Sequence, residues 1–216
     1  MSQNTSFESL SVMVESSFAQ ADQPCGVWID SLLSPLKSLN VVLATSNVTS
    51  SESSAITIGF YINSDADIDR MNVNISNTSI SSINGMTMGA ALNVPSISHS
   101  TISVTSDIES EEGSVTGIYI YYLDHPSSLP PLSESIVKFD GTLKSHAGPE
   151  NNNSGIHVQA KLNDSMPSVI GSTLIHCLVN GIVSSGTMSG IRMTFDNDGG
   201  YGVLDNVTMV CEGSLT

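Results

Sequence analysis

The sequence predicts an all-β fold, an antiparallel β-sandwich or jelly roll with long polar loops and at most one or two short helices. Three observations point there. Apolar and polar residues alternate along many short runs, turn-forming residues separate the runs, and strands do not alternate with helices as a parallel α/β sheet requires. The 216 residues form one domain spanning 1–216, and if the chain divides, the division falls within 124–155, where polar and proline-rich loops concentrate.

Taken in order, the N-terminal segment is ambiguous. Phe7, Leu10, Val14 and Phe18 share a helical face with Thr5 and Glu8 as a capping box, whereas Leu10, Val12 and Val14 fit a strand. The strand reading is preferred because β signals dominate nearby. Residues 30–39, DSLLSPLKSL, fit a short helix capped by Asp30 or Ser31 and limited by Pro35. AITIGFYI (55–62) and GIHVQAKL (155–162) alternate cleanly, with Ile56, Ile58, Phe60 and Ile62 on one face of the first. MNVNIS, TISVTSD, GIYIYYL, IRMTF and NVTMVC follow the same period of two. Asn84-Gly85 and Asn180-Gly181 lie between apolar runs and predict type I′ hairpins, where both central residues need positive φ. DHPSSLPPLSES (124–135) and SHAGPENNNSG (145–155) read as long surface loops, and no internal repeat is evident.

Composition narrows the function classes. Ser, Thr and Asn make up about a third of the chain and charged residues only 12%. The six basic residues Lys37, Arg70, Lys138, Lys144, Lys161 and Arg192 are scattered singly against 21 acids, giving 6 − 21 = −15. No basic patch forms, so neither nucleic acid nor an anionic membrane is an expected partner. Cys25, Cys177 and Cys211 have no CxxC spacing, which leaves at least one thiol unpaired and gives no support for zinc. MSQNTSFESLSVMVESSF has neither a basic n-region nor an unbroken apolar stretch, so no signal peptide is expected, and no apolar run reaches the length of a membrane span. Seven Asn-X-Ser/Thr sequons occur, at Asn4, Asn47, Asn74, Asn77, Asn152, Asn163 and Asn206, a mild excess over the four or so that this composition yields by chance. Without a signal peptide, glycosylation is not expected.

Catalytic residues are not expected. GTMSG (186–190) has the wrong spacing for a nucleophile elbow, and His99, His125, His146, His157 and His176 are each isolated. His157 should face solvent, and His176 should be a satisfied core histidine beside Cys177. The acids Asp65, Asp67, Asp69, Glu109, Glu111 and Glu112 could supply a glycosidase pair, but with Trp28 as the single tryptophan a sugar-stacking platform looks poorly supplied. No cofactor is expected except calcium. Asp65-Ala-Asp67-Ile-Asp69 and Asp196-Asn197-Asp198-Gly-Gly offer oxygen ligands, although the second stretch equally suits a tight turn.

MTFDNDGGYGVLDNVTM resembles the last hairpin of extracellular galactose-binding-like sandwiches, in which a strand, a glycine turn and an "LDNV" strand close the domain. The resemblance covers about 20 of 216 residues and implies a secreted carbohydrate-binding or surface module. Tyr119, Tyr121 and Tyr122 form the one aromatic cluster, with Tyr119 and Tyr121 opposite Ile118 and Ile120, and they are the candidate interface or binding residues. The expected role is structural. The chain should act as a homo-oligomer, or with other coat or surface proteins, as a virion coat, protrusion or decoration subunit on a virion or an extracellular surface. The alternative is a surface carbohydrate-binding or adhesion module with glycan partners.

Overall fold

The computed structural model describes residues 8–21, 23–32, 36–50, 56–122, 132–146, 152–162, 168–183, 187–197 and 202–215. Every strand pairing among them is parallel, and the chain coils into a β-solenoid of about five turns, which overturns the antiparallel sandwich or jelly roll. No helix occurs among the described residues.

Each full turn visits three sheets in the same order. The first sheet stacks Ser9–Glu15, Ser38–Ala44, Met71–Ser82, Thr101–Ser110, Ile136–Ser145, Leu174–Val183 and Thr208–Leu215, with Phe18–Ala21 and Asn47–Ser50 flanking its early strands. The second stacks Cys25–Leu32, Thr57–Ser64, Thr87–Asn93, Val115–Tyr122, Asn152–Leu162 and Thr187–Asn197. The third, much narrower, stacks Ile68–Asp69, Ile97–Ser98, Leu132–Ser133, Ser168–Gly171 and Gly202–Asp205.

Alternation predicts strands and most inward faces, although Ile58, expected to share a face with Phe60 and Ile62, lies in the outer apolar cluster and Ile56 is exposed; it carries no information on strand direction, and the turn cues misled for that reason. Asn84-Gly85 joins Met71–Ser82 to Thr87–Asn93, which lie in different sheets. It is a corner, with Gly85 at φ 99° and its carbonyl accepting from the Ser110 hydroxyl at 3.1 Å. Asn180-Gly181 lies inside Leu174–Val183 and pairs with Ser214 and Leu215. The short helix expected over 30–39 is replaced by strand at both ends, and Pro35 lies outside the described residues. The N-terminal segment is the strand Ser9–Glu15, aligned with Ser38–Ala44. The closing hairpin is absent too. Thr187–Asn197, Gly202–Asp205 and Thr208–Leu215 belong to three different sheets, so the galactose-binding-like sandwich implied by that stretch is overturned. The central parts of the two long loops, 123–131 and 147–151, lie outside the described residues.

In-register stacking turns alternation into columns. Val41, Val73, Ile102, Val137 and Ile175 form one inward column of the first sheet, and Leu43, Ile75, Val104, Phe139 and Cys177 form the next. Phe60, Ala90, Ile118 and Ile156 face them from the second sheet, and all belong to one core. Burying each large aliphatic or aromatic side chain contributes about 1.5–3 kcal/mol.

Corners between sheets, at His99, Glu134 and Ser172, and bends within the first sheet, at Thr45 and Asn77, are built from hydroxyls. Thr45, Asn77, His99, Glu134 and Ser172 adopt positive φ, between 46° and 51°, although none is glycine. Each is followed by a Ser or Thr whose hydroxyl donates to the carbonyl two residues back: Ser46 to Ala44, Thr78 to Ser76, Ser100 to Ser98, Ser135 to Ser133 and Thr173 to Gly171, at 2.6–3.1 Å. The same oxygens accept from neighbouring turns, since the Met71 N–H donates to Ser100 Oγ at 2.7 Å and the Ser100 N–H to Ser135 Oγ at 3.1 Å. A left-handed residue costs about 1–2 kcal/mol. The local hydroxyl bonds, and the buried donors they satisfy, offset that cost.

Six glycines of the second sheet stack as well. A Cβ on Gly26 would lie 2.6 Å from the Gly59 carbonyl and 2.8 Å from the Leu43 side chain, and one on Gly59 would lie 2.6 Å from the Gly89 carbonyl and 2.7 Å from Ile80. Gly117 is tighter still, against the Gly155 carbonyl and the Phe139 ring. Gly117→Ala is therefore expected to destabilise the chain by about 2–3 kcal/mol through overpacking. Gly171→Ala, whose Cβ meets nothing nearer than the Asp205 carbonyl at 3.8 Å, should stay within about 0.5 kcal/mol. Thermal melts of the two variants beside the parent check this, and equal midpoints would sink it.

Candidate functional site

The glycine column marks a recurring segment, Gly-apolar-x-apolar: GVWI (26–29), GFYI (59–62), GAAL (89–92), GIYI (117–120), GIHV (155–158) and GIRM (190–193). The second and fourth residues point into the core, and the third points out. Register stacks the third residues into one outer column: Trp28, Tyr61, Ala91, Tyr119, His157 and Arg192. The residue before each glycine also faces out, giving a parallel column that runs through Cys25, Ile58, Met88, Thr116 and Ser154.

Between these columns each strand is drawn inward at its glycine, where only a hydrogen fits against the first sheet's side chains. The outer surface is dented along that line. Ile58, Met88 and Ala91, with Cys25, Tyr61 and Tyr119 packed on them, form a small apolar cluster separate from the core. The resulting groove, about 260 Å³, is lined by Trp28, Ile58, Tyr61, Met88, Ala91, Tyr119 and Tyr121 among others. A second depression of about 260 Å³ continues it along the solenoid axis, with Thr116, Asn152, His157 and Arg192 in its lining. Tyr119 belongs to both.

The aromatic rings form two pairs with a gap. Trp28 and Tyr61 lie 4.4 Å apart between ring centroids, inclined by 45°. Tyr119 stacks on Tyr121 at 6.2 Å and touches the His157 ring at 5.1 Å. Ala91, on the turn between them, leaves the space open. Polar ladders fix the rim. The Asn93 amide donates to Asn63 at 2.6 Å and Asn63 to Asp30 at 2.8 Å, while Tyr119 Oη donates to Gln159 at 2.6 Å and His157 Nε2 is bonded to Thr194 Oγ1 at 2.9 Å. Trp28 stays 56% exposed, so the groove presents aromatic surface to solvent. Burial raises the Tyr61 hydroxyl pKa, with Asp30 and Cys25 adding to the shift.

Comparison with known proteins leaves this geometry to stand by itself. No protein family, curated protein or solved structure matches the chain.

Tyr119 and Tyr121 thus share the outer face of one strand, and Tyr122 ends that strand with its backbone paired to Ala160. Trp28, Tyr61, His157 and Arg192 join the site only through three-dimensional register. The signal that could have found them is the glycine segment itself, at spacings from 28 residues (89 to 117) to 38 (117 to 155). For calcium, Asp196 and Asn197 continue the strand Thr187–Asn197 opposite Lys161 and Leu162, and Asp198 lies outside the described residues. Among the described residues no group of three or more His, Cys, Asp or Glu side chains is placed to hold a metal ion.

Other chemistry-bearing groups lie elsewhere. At the corner between the third and first sheets, His99 bridges Asp69 at 2.8 Å and Glu134 at 2.7 Å across three turns. Burial pushes the Asp69 carboxyl up, but hydrogen bonds from His99, Arg70 and Ser98 outweigh it and hold the group below the usual range. A depression of about 340 Å³ on the first sheet, at the Thr105/Ser106 register shift, is lined by polar residues including Asp107 and Asp140 and has no aromatic wall. His176 faces outward and is half-buried, while its neighbour Cys177 occupies the core, so the expected core histidine is corrected to a surface one.

Cys25 provides a chemical handle on the groove. Burial pushes its thiol up to about 11 from 9.0, two units that cut its thiolate fraction near neutral pH about a hundredfold. At pH 8 an alkylating reagent such as iodoacetamide, applied to the reduced chain, should therefore label the exposed Cys211 at least about tenfold faster than Cys25, as read by peptide mass mapping. Equal rates would mean that Cys25 is not covered as described.

Proposed function

We propose that the chain is a recognition solenoid whose second-sheet groove binds an extended, uncharged oligosaccharide lying along the solenoid axis. The observation that carries this reading is the outer column Trp28, Tyr61, Ala91, Tyr119 and His157, in which flat rings flank a one-residue gap. Successive turns lie about 4.8 Å apart, so Tyr61 and Tyr119, two turns apart, leave about 9–10 Å for a pyranose ring to settle over Ala91. A sugar ring offers an apolar C–H face to such rings and hydroxyls at its edge, and Asn63, Asn93 and Gln159 stand beside the column to meet those hydroxyls. The groove is open along its length, which suits a chain rather than a compact ligand. The net charge of −15 disfavours anionic polymers.

Trp28 is the single tryptophan and lies in the groove, so its fluorescence reports occupancy directly. Titration with neutral β-linked hexose oligomers should give a saturable change in emission. Tyr119→Ala should weaken binding about tenfold, and Ala91→Phe, which fills the gap, should abolish it with the fold intact by circular dichroism. Emission that stays flat across a panel of neutral glycans, or binding indifferent to Ala91→Phe, removes the reading.

A second reading, self-association end to end, is favoured by the two end turns of the stack that the described residues form. Leu10, Val12 and Val14 at one end, and Ile191, Met193 and Phe195 at the other, are only partly buried. Ser9–Glu15 and Thr208–Leu215 are the outermost strands of the first sheet and present edges that parallel pairing could extend. Light scattering should then give a mass above that of one chain, rising with concentration. A strict monomer at all concentrations rejects it.

A further inference from the structure

The inward column Leu43, Ile75, Val104 and Phe139 ends on two cysteines. Cys177 and Cys211 occupy the same register position on the last two strands of the first sheet. Neighbouring strands lie about 4.8 Å apart, inside the Cα separation of roughly 4.4–6.8 Å that a disulfide spans. Cys177 is fully buried and Cys211 is exposed. Burial and the neighbouring Cys211 thiol push the Cys177 thiol up to about 12. The second sheet makes room for both sulfurs: a Cβ on Gly155 would strike Cys177 Sγ, and one on Gly190 would strike Cys211 Sγ. Cys25 faces outward at the far end of the second sheet, five strands from Thr187–Asn197 in the stacking order, and does not compete.

We propose that Cys177 and Cys211 are a disulfide site that fastens the final turn of the solenoid, closed by exchange with a low-molecular-weight disulfide, RSSR. The exposed Cys211 thiolate attacks one sulfur of RSSR. A bond from Cys211 Sγ to that sulfur forms as the S–S bond breaks, and the departing RS⁻ takes up a proton. Cys177 then loses its proton to solvent, attacks Cys211 Sγ and expels the second RS⁻, which is protonated in turn. Two protein thiols are oxidised by two electrons, and RSSR is reduced to two RSH. The loop closed between residues 177 and 211 contains Thr187–Asn197 and Gly202–Asp205, so one bond ties a whole turn, the last among the described residues. Nothing in this proposal depends on what the groove binds.

The test uses the full chain with oxidised glutathione at pH 8, read by intact mass, non-reducing peptide mapping and amide hydrogen exchange. The expected result is a loss of two hydrogens in mass, a peptide pair joining Cys177 to Cys211, and exchange over residues 208–215 slowed about tenfold or more and restored by reductant. Cys211→Ser should abolish all three changes. Cys177→Ala should stop at a glutathione adduct on Cys211, which keeps the test decisive if either variant is less stable. A persistent adduct on Cys211 in the parent, a bond to Cys25, or a Cys177–Cys211 bond that leaves exchange over 208–215 unchanged would each overturn the proposal.

Discussion

The approach of six glycines to the opposite sheet is the constraint on which the rest of the structure depends. At each turn the second sheet comes so close to the first that a first-sheet side chain, Leu43, Ile80, Val104, Phe139, Cys177 or Cys211, fills the place of the missing Cβ. At Gly26, Gly59, Gly89, Gly117 and Gly155 the same missing Cβ faces the carbonyl of the next glycine in the stack, so a side chain there strains its own packing and its neighbour's backbone together. The constraint therefore belongs to the column rather than to any one residue. It also shapes the outside. Drawing the strand inward at its glycine leaves the flanking outward residues as two walls, and the groove is the outer side of a dent made by core packing.

Stacking also accounts for the unusual composition. In-register parallel strands place one turn's side chain directly over the next at about 4.8 Å, and a column of like charges at that spacing repels itself. Neutral amides and hydroxyls instead bond along the stack, as Asn72 does to Asn40 and Asn93 to Asn63. The hydroxyl corners use serine and threonine for a different reason, to hold left-handed backbone without glycine. Where charges do stack they alternate in sign or share a histidine, as in Lys37 on Glu8, Lys144 on Glu109, and Asp69, His99 and Glu134 in sequence. A chain that is about one-third Ser, Thr and Asn and only 12% charged is what this architecture requires.

Much of the local structure was legible and the global arrangement was not. Alternation in GIYIYYL and GIHVQAKL placed the strands and their inward faces, because period two is a property of the single strand. Direction is a property of the connection, and there the sequence misled. Asn84-Gly85 has the composition of a hairpin turn yet makes a corner between sheets, and Asn180-Gly181 lies within a strand. The repeat is hidden in the sequence because its length varies from 28 to 38 residues and its third position changes from Trp28 to Ala91 to Arg192. Only the glycine and the two apolar positions that follow it recur, too short a signature to stand out from chance in an isoleucine-rich chain. Tyr119 and Tyr121 were visible as neighbours on one strand, whereas Trp28 and Tyr61 meet only through register.

That same variability separates recognition from stability. In each Gly-apolar-x-apolar segment the first residue sets the approach of the sheets, and the second and fourth fill the core. The third points away from the core and meets only other outer-face side chains, so it can change with less cost to the fold than the first, second or fourth. The column uses that freedom in a graded way: aromatic at Trp28 and Tyr61, empty at Ala91, aromatic again at Tyr119, then polar at His157 and cationic at Arg192. A ligand lying along the groove would meet a different side chain about every 4.8 Å and would bind in one direction only, since reversing it exchanges the apolar end for the polar one. On the proposed reading, the outer column would act as a short code written on a scaffold that does not read it, with the glycine dent keeping that code within reach of a single extended chain.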